Sequence, residues 1–203
     1  MIDLISLVIF FAAVVIHEYA HGLAALWFGD NTAKYEGRLT LNPVAHIDPI
    51  GTILLPIFLI ISKSPVIFGW AKPVPINYWG LRNPKRDIIW VGLAGPLANI
   101  GLAFILSLFL KADFGLSAYF VILLKQAVWI NLVLAVFNLI PIPPLDGSRV
   151  AMGLLPSRLG ALYASIEPYG FIILIVLLYM GFFDRFVGPV VNVLLVLLKI
   201  NIF

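Results

Sequence analysis

Long apolar runs divided by short polar interruptions dominate this chain, and their lengths dictate the elements they predict. Residues 4–28 are apolar except for His17, Glu18, Tyr19 and His21, and Gly29-Asp30-Asn31 supplies a helix stop. A helix rises about 1.5 Å per residue, so about 20 apolar residues cross a bilayer and this run suffices. Residues 88–110 and 119–140 predict a second and a third span, the latter halted by Pro141, Pro143 and Pro144. Lys125 is expensive at mid-bilayer unless it snorkels or faces a cavity, so the third span could begin nearer Gln126. Residues 169–183 and 187–200 predict two more apolar helices without an ionisable cluster, which reads as lipid-facing or packing scaffold.

The stretches between these spans are less regular. Residues 49–61 are apolar but too short for a full crossing and contain Pro56, which favours a re-entrant element. Residues 32–41 mix charged side chains with β-formers and predict a short strand or hairpin at the membrane edge. Residues 62–84 are rich in turn formers and predict an ordered loop near the interface, and residues 149–155 predict a brief helix. The expected fold is therefore an all-α polytopic membrane protein, a bundle of about five to six membrane helices with a short re-entrant or β-like segment near residues 32–41. A catalytic transmembrane core over residues 1–155 and a helical hairpin over 156–203 packed on it are the expected units.

Composition agrees with a lipid environment. Of 203 residues 62% are hydrophobic and 11% charged, against roughly 25% charged in ordinary soluble domains. The net charge of +3 comes from basic residues gathered outside the apolar runs, as cytoplasmic Lys and Arg produce, and no face for nucleic acid is evident. A multi-pass cell-membrane protein whose site opens towards the cytoplasm is the expectation. The first run lacks a basic n-region and a small-residue cleavage site, so it does not read as a signal peptide. With no cysteine, any transition metal must be held by nitrogen and oxygen.

That requirement bears on the first span. His17 and His21 are four residues apart and so point the same way, one turn apart, with Glu18 beside that face. This is the H-E-x-x-H arrangement, in which two imidazoles bind zinc and the glutamate is the general base for water. Three ionisable groups within five residues of an apolar helix must repay a desolvation cost, which argues against satisfied core histidines. Catalytic zinc sites usually take three protein ligands, and residues 22–28 offer no further His, Asp or Glu. Asp146, after Pro141-Ile142-Pro143-Pro144-Leu145 and before Gly147, is a candidate; it could equally cap the short helix near Arg149, and His46 is a rival donor.

His17-Glu18-Tyr19-Ala20-His21-Gly22, Ala94-Gly95-Pro96-Leu97-Ala98-Asn99 and Asn138-Leu139-Ile140-Pro141-Ile142-Pro143-Pro144-Leu145-Asp146-Gly147 together make the chain similar to the site-2 protease family of intramembrane zinc metalloproteases. The resemblance covers roughly residues 1 to 155, and Arg38-Leu39-Thr40-Leu41-Asn42-Pro43 with residues 69–75 looks like its compact prokaryotic branch. It implies one zinc ion held by His17, His21 and Asp146, Glu18 as catalytic base, and transmembrane protein substrates. It also implies that Asn99 and Asn138 lie near the substrate cleft, although a helix-to-helix hydrogen bond serves an amide in a span equally well. Extra spans, a PDZ insertion and a nucleotide-sensing domain, found in many relatives, are not expected here. The rival readings are a metal-binding membrane transporter and a proteolytically inactive relative that binds membrane helices.

Overall fold

The computed structural model of the protein describes residues 4–63, 69–112 and 114–201. Part of the loop expected over 62–84 lies outside these ranges. The first helix, α1 (Leu4–Trp27), is followed by one helical turn, α2 (Thr32–Tyr35). A 3-10 turn (Pro43–His46) and a wide helical turn (Pro49–Leu54) lead into α3 (Leu55–Ile61). Two long helices follow, α4 (Pro84–Lys111) and α5 (Ala118–Asn138), then α6 (Asp146–Leu154), α7 (Ser157–Ala164), α8 (Gly170–Tyr179) and α9 (Gly188–Leu197). Among the described residues four helical stretches are long and apolar enough to cross a membrane: Ile5–Trp27, Pro84–Lys111, Ala118–Asn138 and Ser157–Tyr179. Pro49–Ile61 is a shorter apolar helix, and α9 is shorter again.

No strand occurs among the described residues, so the β-like expectation for 32–41 is corrected. The reason is local. The Asp30 carboxylate accepts from the Thr32 amide (3.0 Å) and hydroxyl (2.5 Å), which starts a helical turn, and Gly37 at φ +66° redirects the chain. A β-former without a neighbouring edge to pair with follows its local hydrogen bonds.

Helix starts are fixed in the same manner. Pro84 occupies the first turn of α4, where a missing amide is harmless, and the Asp87 carboxylate reaches back to the Asn83 amide (2.8 Å). Ser117 caps α5 through the Phe120 amide (3.3 Å). The expected helix near Arg149 begins earlier, at Asp146, and no side chain caps it.

Two buried clusters hold the bundle. Ala24 and Ala25 of α1 pack with Leu81 and Val91, and Ala103, Val128, Leu132, Val191 and Leu195 join α4, α5 and α9. Small residues bring backbones close, as helices packing in lipid require. A Cβ on Gly153 would lie 2.3 Å from the Ile89 side chain, and one on Gly147 would lie 2.2 Å from the Leu139 carbonyl oxygen. α6 thus lies tightly against α4 and the end of α5, which carries Asp146 towards α1. The Arg149 guanidinium fastens the outer side of α6 by pairing with Glu167 (2.5 and 3.2 Å) over the ring of Tyr78.

Candidate metal centre

His17 and His21 stand one turn apart on the face of α1 turned towards α4, both nearly inaccessible. Their rings meet edge to face with centroids 4.6 Å apart, and their Nε2 atoms are 3.0 Å apart. Asp146, the first residue of α6, completes the group: Oδ2 lies 2.9 Å from His17 Nε2 and Oδ1 lies 3.2 Å from His21 Nε2. One ligand atom from each residue falls within 4.8 Å of the others, the one such group of three found among the described residues.

The outer sides of both rings are fixed by hydrogen bonds. His21 Nδ1 is 2.7 Å from the Val91 carbonyl oxygen, which can only accept, so that nitrogen carries the proton. His17 Nδ1 is 2.6 Å from Asn99 Oδ1. The Asn99 amide nitrogen is already committed to the Ala13 carbonyl (3.1 Å) and to Asn131 Oδ1 (2.8 Å), so its oxygen faces the ring and His17 Nδ1 also donates. Asn131 in turn donates to the Ala127 carbonyl (2.8 Å). A buried amide relay therefore runs from α5 through α4 to His17, the outer-shell arrangement that orients metal-binding histidines.

With both Nδ1 atoms held by outer partners, the two Nε2 atoms and the Asp146 carboxylate are the groups that face one another. Three acceptors facing one point repel unless a cation lies among them. Two imidazole nitrogens and a carboxylate oxygen, without thiolate, suit zinc and leave a coordination position open for water or substrate. Gly95 makes room: a Cβ there would sit 2.4 Å from His21 Nε2 and 2.6 Å from His17 Nε2.

Glu18 is half-buried beside this group, and its Oε2 accepts from the Val74 amide (2.7 Å). His46, the rival donor, is fully buried elsewhere: its Nε2 donates to the Thr40 carbonyl (2.9 Å). Asp146 does not cap a helix near Arg149, because its carboxylate is turned to the histidines. Asn99 is 0% exposed and directs its polar atoms at His17, Ala13 and Asn131. Asn138, the last residue of α5, is half-buried and donates to the Leu134 carbonyl (3.0 Å). Sequence reasoning missed Asn131, Val91 and Val74. An amide inside a span was a usable signal for Asn131, whereas backbone groups such as the Val91 carbonyl leave none.

Comparison with known proteins gives a consistent result. A sequence profile of peptidase family M50 matches residues 112–181. The chain is 42% identical over 184 residues to "Putative zinc metalloprotease YwhC" of Bacillus subtilis, covering 87% of this chain and 80% of the relative. It is 33% identical over 168 residues to "Putative zinc metalloprotease Rip2" of Mycolicibacterium smegmatis, covering 82% and 63%. It is 32% identical over 159 residues to "Putative zinc metalloprotease MJ0611" of Methanocaldococcus jannaschii, covering 74% and 70%. No solved structure matches the chain.

Proposed function

The chain belongs to peptidase family M50, and from that premise we propose that it is a zinc metalloprotease that cleaves transmembrane segments of membrane proteins within the bilayer. The observation that carries this reading is the meeting of His17, His21 and Asp146, with both Nε2 atoms and the carboxylate turned towards one another and a second carboxylate, Glu18, alongside. Zinc, when bound there, supplies the Lewis acidity that activates water and polarises a peptide carbonyl.

The chain's own groups do the rest. Asn99 and the Val91 carbonyl keep both rings in the tautomer that leaves Nε2 free. Glu18 takes a proton from the attacking water as the new C–O bond forms, and delivers it to the departing amine as the peptide C–N bond breaks. Asn99 serves the metal side through His17, and Asn138, half-buried at the end of α5, meets substrate. A substrate helix hides its peptide groups in its own hydrogen bonds, so it must unwind locally to reach this site.

The histidines lie six and ten residues before Trp27, the last residue of α1, which is about 9 to 15 Å below that end. Water must therefore enter from the side where α1 ends. The segment joining α1 to α4 carries Lys34, Arg38, Lys63, Lys72 and Arg82, with Lys85 and Arg86 in the first turn of α4, whereas the connection from α4 to α5 has Lys111 at its start and no other basic residue. By the excess of Lys and Arg, that side is cytoplasmic.

Glu18→Gln is the test. A protease keeps one zinc per chain in this variant and loses cleavage of a reporter membrane protein. Unchanged cleavage, or zinc flux through the protein in place of cleavage, defeats the reading.

A further inference from the structure

Two stretches that the ligand set leaves without a role, Arg38-Leu39-Thr40-Leu41-Asn42-Pro43 and residues 69–75, meet beside Glu18. Residues 70–77 form a strap across α1. Pro73 and Pro75 have no amide hydrogen, so Val74 is the one amide donor of residues 73–75, and it donates to Glu18 Oε2 (2.7 Å). Val74 is buried, and its Cγ1 lies 3.0 Å from where a Cβ on Gly22 would stand, which seats the strap in a notch one turn beyond Glu18.

The strap is fastened along its length. The Trp70 amide donates to the Gly51 carbonyl (3.2 Å) and the Thr52 hydroxyl to the Trp70 carbonyl (2.8 Å). The Lys72 amide donates to the His46 carbonyl (2.9 Å), and the Asn77 amide to Asp30 Oδ2 (2.8 Å). Arg38, 8% exposed, sends one guanidinium nitrogen to both the Lys72 carbonyl (2.9 Å) and the Pro73 carbonyl (3.2 Å). Burying a guanidinium is unfavourable without strong partners. Here it is spent on backbone carbonyls, and no ion pair to Arg38 occurs among the described residues.

The Pro73 carbonyl and the Val74 amide belong to a single peptide plane. Pro143-Pro144 is the one cis bond among the described residues, so the 73–74 bond is trans and its C=O and N–H point in opposite directions. Holding the oxygen from one side therefore aims the hydrogen from the other.

We propose that this plane sets the general base: Arg38 grips Pro73 O, Val74 N–H grips Glu18 Oε2, and the other carboxylate oxygen is thereby presented to water. Arg38 and Val74 are positioning residues, with His46 supporting them through Lys72. No hydrogen bond to Glu18 Oε1 occurs among the described residues, as this assignment requires.

The inference rests on the protease reading, and five variants in the full chain test it. Arg38→Met and Val74→Pro lower kcat at least tenfold, with KM within twofold and one zinc per chain retained. Arg38→Lys restores at least threefold of the loss, and Val74→Ala, which keeps the amide, exceeds Val74→Pro at least tenfold in kcat. A second measurement needs no activity: hydrogen exchange at Val74 speeds up at least tenfold in Glu18→Ala and in Arg38→Met. A wild-type protein that cleaves while Arg38→Met and Val74→Pro keep full kcat overturns this proposal alone, as does Val74 exchange indifferent to Glu18→Ala. A wild-type protein without Glu18-dependent cleavage overturns the protease reading and the proposal with it.

Discussion

Gly95→Ala sets two opposing effects against each other at the metal centre. In a helix interior alanine is favoured over glycine by about 1 kcal/mol, so propensity alone makes α4 firmer. The added Cβ, however, would lie 2.4 Å from His21 Nε2, 2.6 Å from His17 Nε2 and 2.7 Å from His17 Cε1. Neither ring can retreat freely, because Asn99 holds His17 Nδ1 and the Val91 carbonyl holds His21 Nδ1. Overpacking of this kind costs about 1 to 3 kcal/mol, and if it falls on the metal-binding arrangement, at about 1.4 kcal/mol per tenfold, zinc affinity drops roughly 5- to 150-fold. Competition with a chromophoric chelator on detergent-purified protein measures this, beside a thermal melt. Gly101→Ala on the same helix is the control, since a Cβ there meets nothing within 4 Å; it should melt no lower than wild type and bind zinc equally. Zinc affinity of Gly95→Ala within twofold of wild type would refute the steric account.

Other outcomes follow from the same geometry. Asn99→Leu removes the acceptor at His17 Nδ1 and should weaken zinc binding about 10- to 100-fold, with Asn131→Leu weaker in effect because it acts through Asn99; equal zinc affinity in all three proteins would remove the relay from the account. Chelation should abolish cleavage and lower the melting temperature, and zinc should restore both, since ligand binding stabilises the native state; full cleavage after complete zinc removal counts against the mechanism. The chain contains no cysteine, so single Lys34→Cys and Phe114→Cys variants report topology directly. Lys34→Cys should react with an impermeant thiol reagent only after cells are opened and Phe114→Cys in intact cells, whereas the reverse pattern would invert the proposed orientation.

Residues close in sequence were legible and those brought together from afar were not. The spacing of His17 and His21 fixes their common face because a helix turns by a constant angle per residue. Asp146 is 129 positions from His17, and the residues alone left it balanced against a capping role; only the family resemblance singled it out. β-Propensity is a weak guide to the 32–41 segment, because Asp30 seeds a turn and no strand edge occurs among the described residues. Asn99 was recognised as an amide in a span, but which side it faced depended on Ala13, His17 and Asn131 from two other helices. The backbone groups of Val91 and Val74 carry no side-chain signature, so their roles became visible only in three dimensions.

Zinc-edge X-ray absorption on the purified wild-type protein and on Asp146→Asn tests the three-donor centre most directly. The account predicts one zinc per wild-type chain with two imidazole nitrogens at about 2.0 to 2.1 Å and otherwise oxygen neighbours, and a clear fall in bound zinc with an altered spectrum in Asp146→Asn. A wild-type spectrum with fewer than two imidazoles, or a variant whose zinc content and spectrum match wild type, would contradict it.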